Sequence, residues 1–180
     1  SIRWTKHRGI RELNGTKIAI IGAGNIGQEV AKRFHAFGVE TTGYDIHVSD
    51  TMYFDHMRFV SSLENEIRLY DIVIVTAPLL PSTVHLMSRS IIKGMKENSI
   101  LVNISRGALI DEDSLCEILT ERKDMYAALD VFEKEPLPEN SPLWKLDNVA
   151  VSPHNSFVSN RTRERMFDVI YNNLKNYINR

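Results

Sequence analysis

Three polar side chains of complementary chemistry follow separate apolar runs in the second half of the chain. Arg106 and His154 each come after a run rich in Val and Ile, and Glu135 stands three residues beyond another such run. A guanidinium binds a carboxylate through two parallel hydrogen bonds, and a histidine exchanges protons near neutral pH. A carboxylate bonded to the second imidazole nitrogen orients the ring and favours its charged form.

Together these groups suit the reduction of a 2-oxo acid. Arg106 would anchor the substrate carboxylate, while His154 donates a proton to the carbonyl oxygen as a hydride reaches the adjacent carbon. In the oxidative direction His154 would act as the base, and Glu135 would hold its ring in both directions. Each side chain alone also fits a plainer account, namely a surface turn for Arg106, a solvated charge for Glu135 and a capped strand end for His154.

A glycine-rich segment near the start of the chain could supply the hydride carrier. Gly22, Gly24 and Gly27 follow an apolar run and open an amphipathic segment. In that context the first glycine permits a tight turn, the second lets a pyrophosphate approach the backbone, and the third lets helix and strand pack closely. The start of the helix, with Asn25 and Ile26, then offers N–H groups and partial positive charge to the phosphates.

An acid 18 positions after the third glycine extends this interpretation. Asp45 ends the second predicted strand, directly after Tyr44, and we include both residues in the predicted cofactor site. A carboxylate there can accept hydrogen bonds from both hydroxyls of the adenosine ribose and would repel a 2′-phosphate, so NAD is favoured over NADP. The alternative for Asp45 is an acid that forms a turn at a strand end.

Apolar runs and amphipathic segments alternate along the chain, which predicts an α/β fold. We expect a Rossmann-type, doubly wound, mostly parallel sheet of about seven strands with helices on both faces. In such a sheet ligands bind beyond the carboxyl ends of the strands, so Arg106 and His154 should lie at the same edge as the phosphate loop. The predicted strands are 16–21, 39–44, 57–60, 72–76, 99–104, 126–131 and 148–152; the predicted helices are a first one carrying Ile26, Val30, Phe34 and Phe37, then 62–70, 88–95, 111–122 and a last one from residue 160 with a stripe of Met166, Ile170, Leu174 and Tyr177.

Three local features have structural interpretations. The acidic cluster 111–114 suits the positive end of a helix dipole, so we predict a helix cap and no metal site. Segment 133–142, with three prolines, predicts an irregular loop. The single cysteine, Cys116, lies in a helical pattern and is expected to pack rather than react.

Composition limits the classes of partner. The chain has 22 Lys and Arg against 23 Asp and Glu, which argues against binding to nucleic acid or an anionic membrane. Its apolar stretches have the length of strands, and its first residues lack the apolar core of a secretory signal. We therefore expect a cytoplasmic protein that handles a small molecule.

Four ordered motifs give the chain a specific resemblance. The glycine loop, residues 102–107, residues 128–136 and the stretch 142–154 resemble the D-isomer-specific 2-hydroxyacid dehydrogenases, a family that includes phosphoglycerate, glycerate, formate and D-lactate dehydrogenases. The resemblance implies NAD, a small 2-oxo or 2-hydroxy acid of D configuration, and a homodimer. It implies that Arg106 binds the substrate carboxylate, that His154 is the acid/base and that Glu135 is the partner of His154. It also implies that Asp130 contacts the nicotinamide amide. The cofactor cleft would be lined by Thr76, Ala77, Pro78, Ile104 and Ser105.

The chain departs from this family in two respects. Residues 155–158 stand where many members have a Gly-Gly pair, and the family carries a substrate lobe before this domain. We accordingly interpret residues 1–15 as a connecting segment from that lobe, 16–156 as the dinucleotide-binding domain and 157–180 as a helix that returns toward the lobe. Because half a cleft neither excludes water nor clamps a substrate, we expect NAD binding with little or no turnover from these residues alone.

Two other functions remain open at this point. One is an NAD-sensing scaffold like the corepressors that resemble these dehydrogenases, which keep similar residues at the site. The other is a Rossmann domain that serves different chemistry, such as NAD-dependent hydrolysis of a thioether. Turnover of a 2-oxo acid would separate both from a dehydrogenase.

Overall fold

The computed structural model describes residues 10–49 and 51–179, which form one seven-stranded parallel sheet with helices on both faces. The strand order is β3-β2-β1-β4-β5-β6-β7, so the order reverses between β1 and β4. This confirms the predicted Rossmann-type fold and all seven strands. The strands are β1 (Lys17–Ile21), β2 (Glu40–Asp45), β3 (His56–Phe59), β4 (Ile72–Val75), β5 (Ile100–Asn103), β6 (Tyr126–Leu129) and β7 (Val149–Val151); the helices are α1 (Asn25–His35), α2 (Leu63–Glu66), α3 (Arg89–Lys93), α4 (Glu112–Glu121) and α5 (Thr162–Ile178).

Burial follows the position of each strand in the sheet. Every residue of β4, at the centre, is buried, because helices cover both faces there and a continuous apolar run is required. At the edge strand β7, Ala150 is exposed and its two neighbours are half-buried. The apolar runs that predicted the strands are therefore explained by two-sided burial at the centre of the sheet.

Successive strand residues point to opposite faces, and each face has its own core. On one face Ile18, Ile20 and Ile74 pack with Ala31 of α1. On the other face the alternate residues of the same strands pack against α2, α3 and α4 in a larger core. Members of that larger core include Ala19, Ile21, Val73, Val75, Leu101, Leu63, Ile92, Leu115 and Leu119.

One predicted helix is not a continuous α-helix in the structure, and another is present but has no buried face. The prediction of one helix over 62–70 is wrong: α2 is a single α-helical turn between two 3-10 turns, Val60–Ser62 and Ile67–Leu69. Leu63 and Ile67 are both buried in this stretch, so the mixed turns place the two apolar side chains in the core. The last helix is present as α5, but no residue of it is buried.

The other local predictions are confirmed where the structure describes them. Asp111 caps α4, where its carboxylate accepts hydrogen bonds from the Ser114 N–H at 3.0 Å and the Ser114 hydroxyl at 2.6 Å. Residues 133–141 contain neither helix nor strand. Cys116 packs half-buried against the larger core, and burial raises the pKa of its thiol to about 11.

Of the connecting segment predicted over 1–15, residues 1–9 lie outside the described residues. Within the described ranges, every helix falls short of the length and apolarity that a membrane crossing needs.

Candidate active site

The parallel register brings the predicted site residues to one edge of the sheet. Ile21 pairs with Val75, Val75 with Asn103, Asn103 with Leu129, and Leu129 with Val151. The residues that follow these pairs therefore line up at the carboxyl edge, beside the reversal of strand order where open sheets bind ligands. They are Gly22, Thr76, Ile104, Asp130 and Ser152.

The phosphate loop has a backbone that only glycine fits at two positions. Gly22 has a φ of +98°, and a Cβ there would lie 2.6 Å from the Cα of Ala77. A Cβ on Gly27 would lie 2.1 Å from the carbonyl oxygen of Gly22. The loop therefore folds back tightly over the ends of β1 and β4, which brings the start of α1 against the sheet.

The first turn of α1 is open to an anion. Gly24 is its N-cap and is exposed, and because it lacks a side chain it provides no side-chain cap to the N–H groups that follow. Asn25 and Ile26 are also exposed, the latter by 56%. Unpaired N–H groups and the positive end of the helix dipole make this turn suited to a phosphate. The first turn of α1 thus fits the phosphates of the dinucleotide that the sequence predicts.

Asp45 fastens the phosphate loop to the end of β2. One carboxylate oxygen accepts a hydrogen bond from the Ala23 N–H at 2.8 Å, and the other accepts from the N–H groups of Ile46 at 2.7 Å and His47 at 3.2 Å. A carboxylate offers about four acceptor positions, so one remains for a ligand. The structure gives Asp45 a role in holding the loop that sequence reasoning did not foresee.

Tyr44 lies in the larger core and not in the cleft. Its side chain is fully buried, and its hydroxyl hydrogen-bonds with Tyr70 at 2.7 Å and with Glu66. Burial and these two partners raise the pKa of the phenol. Because side chains alternate along a strand, a residue beside Asp45 must face the opposite way. The structure therefore does not bring the predicted Tyr44 side chain to the cofactor site.

The residues that follow β4 are hydrogen-bonded to the phosphate loop. The Thr76 hydroxyl lies 2.7 Å from the carbonyl oxygen of Gly22 and 3.1 Å from that of Ile21, and it donates to this pair. Ala77 is buried, and its carbonyl accepts a hydrogen bond from the Ser105 hydroxyl, while Pro78 is exposed. These residues join the ends of β1, β4 and β5 into one cleft wall.

Arg106 stands on a turn that is held by a residue the sequence prediction missed. The buried Asn103 side chain donates to the Arg106 carbonyl at 2.9 Å and accepts from the Ser105 N–H at 3.1 Å. The Arg106 guanidinium is exposed and donates to the Ser105 carbonyl at 2.6 Å. An amide at the end of a buried strand was the available signal for Asn103, since a buried polar side chain needs partners.

His154 and Glu135 form the pair that was predicted. The imidazole Nδ1 lies 2.7 Å from Glu135 Oε2, and Glu135 Oε1 accepts from the Phe132 N–H at 3.1 Å. The hydrogen bond from His154 lowers the pKa of Glu135 against the opposing effect of burial, and the Phe132 N–H and the positive charge of Arg106 lower it further. Since an ionised carboxylate can only accept, Nδ1 carries the proton and Nε2 is left to a substrate.

Asp130 follows the last residue of β6 and precedes the loop that carries Glu135. It is 4% exposed, and its carboxylate accepts hydrogen bonds from Ser152, Asn155 and Ser156. Burial alone would raise the pKa of Asp130, but these hydrogen bonds lower it to about 2. Asp130 is therefore charged at neutral pH.

Two cavities adjoin these residues. The larger, of about 610 Å³, is bordered by His154 and Glu135 and otherwise mostly by apolar side chains, among them Trp144. The smaller, of about 180 Å³, lies between Ile104 and Asp130. The Phe157 ring stands edge-on to the imidazole with centroids 6.0 Å apart, a contact that the sequence did not predict.

Comparison with known proteins agrees with this geometry. A family model described as the NAD-binding domain of D-isomer-specific 2-hydroxyacid dehydrogenases matches residues 1–156. D-3-phosphoglycerate dehydrogenase of Methanocaldococcus jannaschii is 44% identical over 147 residues, which are 79% of this chain and 27% of the relative. Glyoxylate reductase of Thermofilum pendens is 38% identical over 166 residues, or 91% and 48% of the two chains.

A solved structure shows the same architecture. The D-isomer-specific 2-hydroxyacid dehydrogenase family protein of Aeromonas salmonicida is 31% identical and superposes with a TM-score of 0.88 over 98% of this chain and 56% of the other. The chain thus spans about half the length, or less, of the relatives it matches. It belongs to the family of D-isomer-specific 2-hydroxyacid dehydrogenases, as the NAD-binding domain.

Proposed function

We propose that this domain, joined to a substrate lobe, interconverts a small 2-oxo acid and the corresponding D-2-hydroxy acid with NAD(H). The observation that carries the proposal is the His154–Glu135 pair, with 2.7 Å between Nδ1 and Oε2, at the same sheet edge as the phosphate loop. The relatives named as a phosphoglycerate dehydrogenase and a glyoxylate reductase support a small acid as the substrate.

The cofactor would be held by three parts of the edge. The first turn of α1, with Gly24, would bind the pyrophosphate, and Asp45 would accept a hydrogen bond from the adenosine ribose. The cavity between Ile104 and Asp130 would take the nicotinamide. NAD(H), when bound, supplies or accepts the hydride. A carboxylate at the ribose disfavours a 2′-phosphate, so we propose NAD over NADP.

Arg106 and His154 would handle the substrate. The exposed guanidinium would bind the substrate carboxylate through two hydrogen bonds and so fix the neighbouring carbonyl carbon. His154 would donate a proton from Nε2 to the carbonyl oxygen during reduction and accept it during oxidation. Glu135 keeps the proton on Nδ1 and balances the charge that the imidazolium carries between these steps.

Kinetics test this proposal directly. In a polypeptide that contains this domain and a substrate lobe, we measure NADH oxidation with a panel that includes glyoxylate and hydroxypyruvate. His154→Gln should lower kcat by about 10²- to 10⁴-fold, the usual contribution of a general acid, with little change in NADH affinity. His35→Gln, on α1 and away from the sheet edge, is the matched control and should keep full activity.

Two results would refute the mechanism. One is that no 2-oxo acid is reduced, and the other is that His154→Gln keeps the wild-type rate. The 180 residues alone should bind NADH and turn over little or no substrate, so rapid turnover by them would contradict the need for a second lobe. The comparisons give no support to an NAD-sensing scaffold.

We further propose that the protein works in the cytoplasm as a homodimer, without nucleic acid or membrane partners. The balanced charge of 22 basic and 23 acidic residues and the single cysteine support the location and the absence of nucleic acid and membrane partners. The resemblance to the family supports the dimer. Sedimentation equilibrium of the two-lobed protein tests the dimer. A monomer at micromolar concentration would exclude it.

A further inference from the structure

We propose that Asp130 is a positioning residue, which sets His154 by clamping the backbone of residues 152–156. The resemblance to the family implies only a contact with the nicotinamide amide for this residue. The further role rests on the proposed function in one respect, that His154 is the proton donor. The clamp itself is a matter of geometry and can be tested without turnover.

The carboxylate of Asp130 is directed at the loop that carries His154. Oδ1 accepts from the Ser152 hydroxyl at 2.5 Å and from the Asn155 N–H at 3.1 Å, and Oδ2 accepts from the Ser156 N–H at 2.9 Å. The loop is thus held on both sides of His154. Three of the roughly four acceptor positions of the carboxylate are engaged within the chain, which leaves one for a cofactor.

His154 needs such support because its backbone is unfavourable. Its φ is +49°, in the left-handed region that residues with a Cβ seldom occupy. Its N–H donates to the Asp130 carbonyl at 2.8 Å and to the Ser152 carbonyl at 3.1 Å. A backbone conformation of this kind persists only where the surroundings determine it, and here Asp130 contributes with both its main chain and its side chain.

Asp130 is also linked through the backbone to Glu135, the partner of His154. Glu135 accepts from the N–H of Phe132, two positions after Asp130, at 3.1 Å. Asp130 therefore links the loop after β6, which carries Glu135, to the loop after β7, which carries His154. The 2.7 Å contact between Nδ1 and Oε2 depends on both loops keeping their places.

The test uses the ¹⁵N-labelled 180-residue chain and the Asp130→Asn variant. The amide has the shape of the acid but loses the charge and turns an N–H₂ group toward donors. We expect hydrogen exchange at Asn155 and Ser156 to quicken by about tenfold or more, as lost hydrogen bonds open the loop. The ¹⁵N resonances of the His154 ring should move toward those of Glu135→Gln, and NADH affinity should fall by no more than about fivefold, as for one lost contact.

Asp71→Asn is the matched control. Asp71 is a partly buried acid that accepts hydrogen bonds from the Lys17 N–H at 2.9 Å and the Lys96 ammonium at 2.5 Å at the opposite edge of the sheet. Its loss should destabilise the fold without moving the His154 resonances. If Asp130→Asn does not fold, Ser152→Ala removes one of the three bonds and should shift the same resonances in the same direction.

Unchanged His154 resonances and unchanged loop exchange in the folded variants would overturn the proposal. A large loss of NADH affinity with an unchanged His154 ring would likewise overturn it and leave Asp130 as a cofactor contact alone. The proposed function fails by a different result, the absence of 2-oxo acid reduction. In that case a displaced His154 ring in Asp130→Asn would still establish the clamp.

Discussion

Three carboxylates at the carboxyl edge of the sheet accept hydrogen bonds from the protein's own backbone in addition to the site roles proposed for them. Asp45 holds the phosphate loop, Asp130 holds the loop of residues 152–156, and Glu135 holds the turn at Phe132. Residue type and position after a strand predicted Asp45 and Glu135, whereas Asp130 was predicted only through the resemblance to the family. The sequence could not predict their backbone partners, because those depend on how separate loops meet.

The buried charge of Asp130 should make stability depend on pH. Its pKa is about 2 in the folded chain against 3.8 as the ordinary value, so it stabilises the fold fully above about pH 4 and loses that contribution as pH falls through 2. The difference corresponds to about 2 kcal/mol. Urea unfolding between about pH 5 and pH 2.5 should therefore show the free-energy gap between wild type and Asp130→Asn narrowing toward low pH. A gap independent of pH would contradict this assignment.

Asp45→Ala should weaken NAD binding by about tenfold, because the hydrogen bond from a ribose hydroxyl to the charged carboxylate is lost, and it should reduce the preference for NAD over NADP. Fluorescence titration with NADH and NADPH measures both effects. Asp55→Ala is the control, because Asp55 binds Thr41 at the amino end of β2, away from the cleft. If affinity for the two nucleotides is unchanged in Asp45→Ala, the ribose role is wrong.

At the scale of elements, two glycines of the phosphate loop serve different purposes. Gly27 allows α1 to pack against the loop, and Gly24 leaves room for the ligand. Gly27→Ala would place a Cβ 2.1 Å from the Gly22 carbonyl oxygen, so it should cost about 2–3 kcal/mol of stability and abolish NADH binding. A Cβ on Gly24 would stand in open space, with no heavy atom within 4 Å. Gly24→Ala should therefore change stability by less than about 1 kcal/mol while it weakens the approach of the pyrophosphate.

Thermal unfolding and NADH titration of both glycine variants decide between these effects. Equal stability of the two variants would contradict the close contact of α1 with the loop. Undiminished NADH affinity in Gly24→Ala would contradict the place assigned to the pyrophosphate.

The central strands were predictable because burial on both faces demands continuous apolar residues, as in β4. The stretch 62–70 was not, since Leu63 and Ile67 have the spacing of a helix even when two 3-10 turns place them in the core. Within the site, residue type and strand ends predicted Arg106 and His154. Phe157 could not be placed in the same way, because its contact with the imidazole depends on the turn after His154.

At the scale of the molecule, the chain spans 27% of the phosphoglycerate dehydrogenase and 56% of the solved structure described above. Helix α5 leaves Phe167, Ile170 and Tyr177 exposed by 67%, 51% and 78%. Apolar exposure of this extent on one helix is typical of a surface that is covered in the working protein. The amphipathic pattern predicted the helix, but no pattern within these residues identifies what covers it.

Transfer of deuterium from NADH to a 2-oxo acid tests the proposed hydride transfer. The two-lobed protein is given a 2-oxo acid and NADH carrying deuterium at the transferable C4 position, and the product is analysed by chiral chromatography with mass spectrometry. We predict one deuterium at C2 of the D-2-hydroxy acid, and a yield that falls by about 10²-fold or more in His154→Gln, as expected on loss of a general acid. An L product, a product without deuterium, or an undiminished yield in the variant would contradict the account.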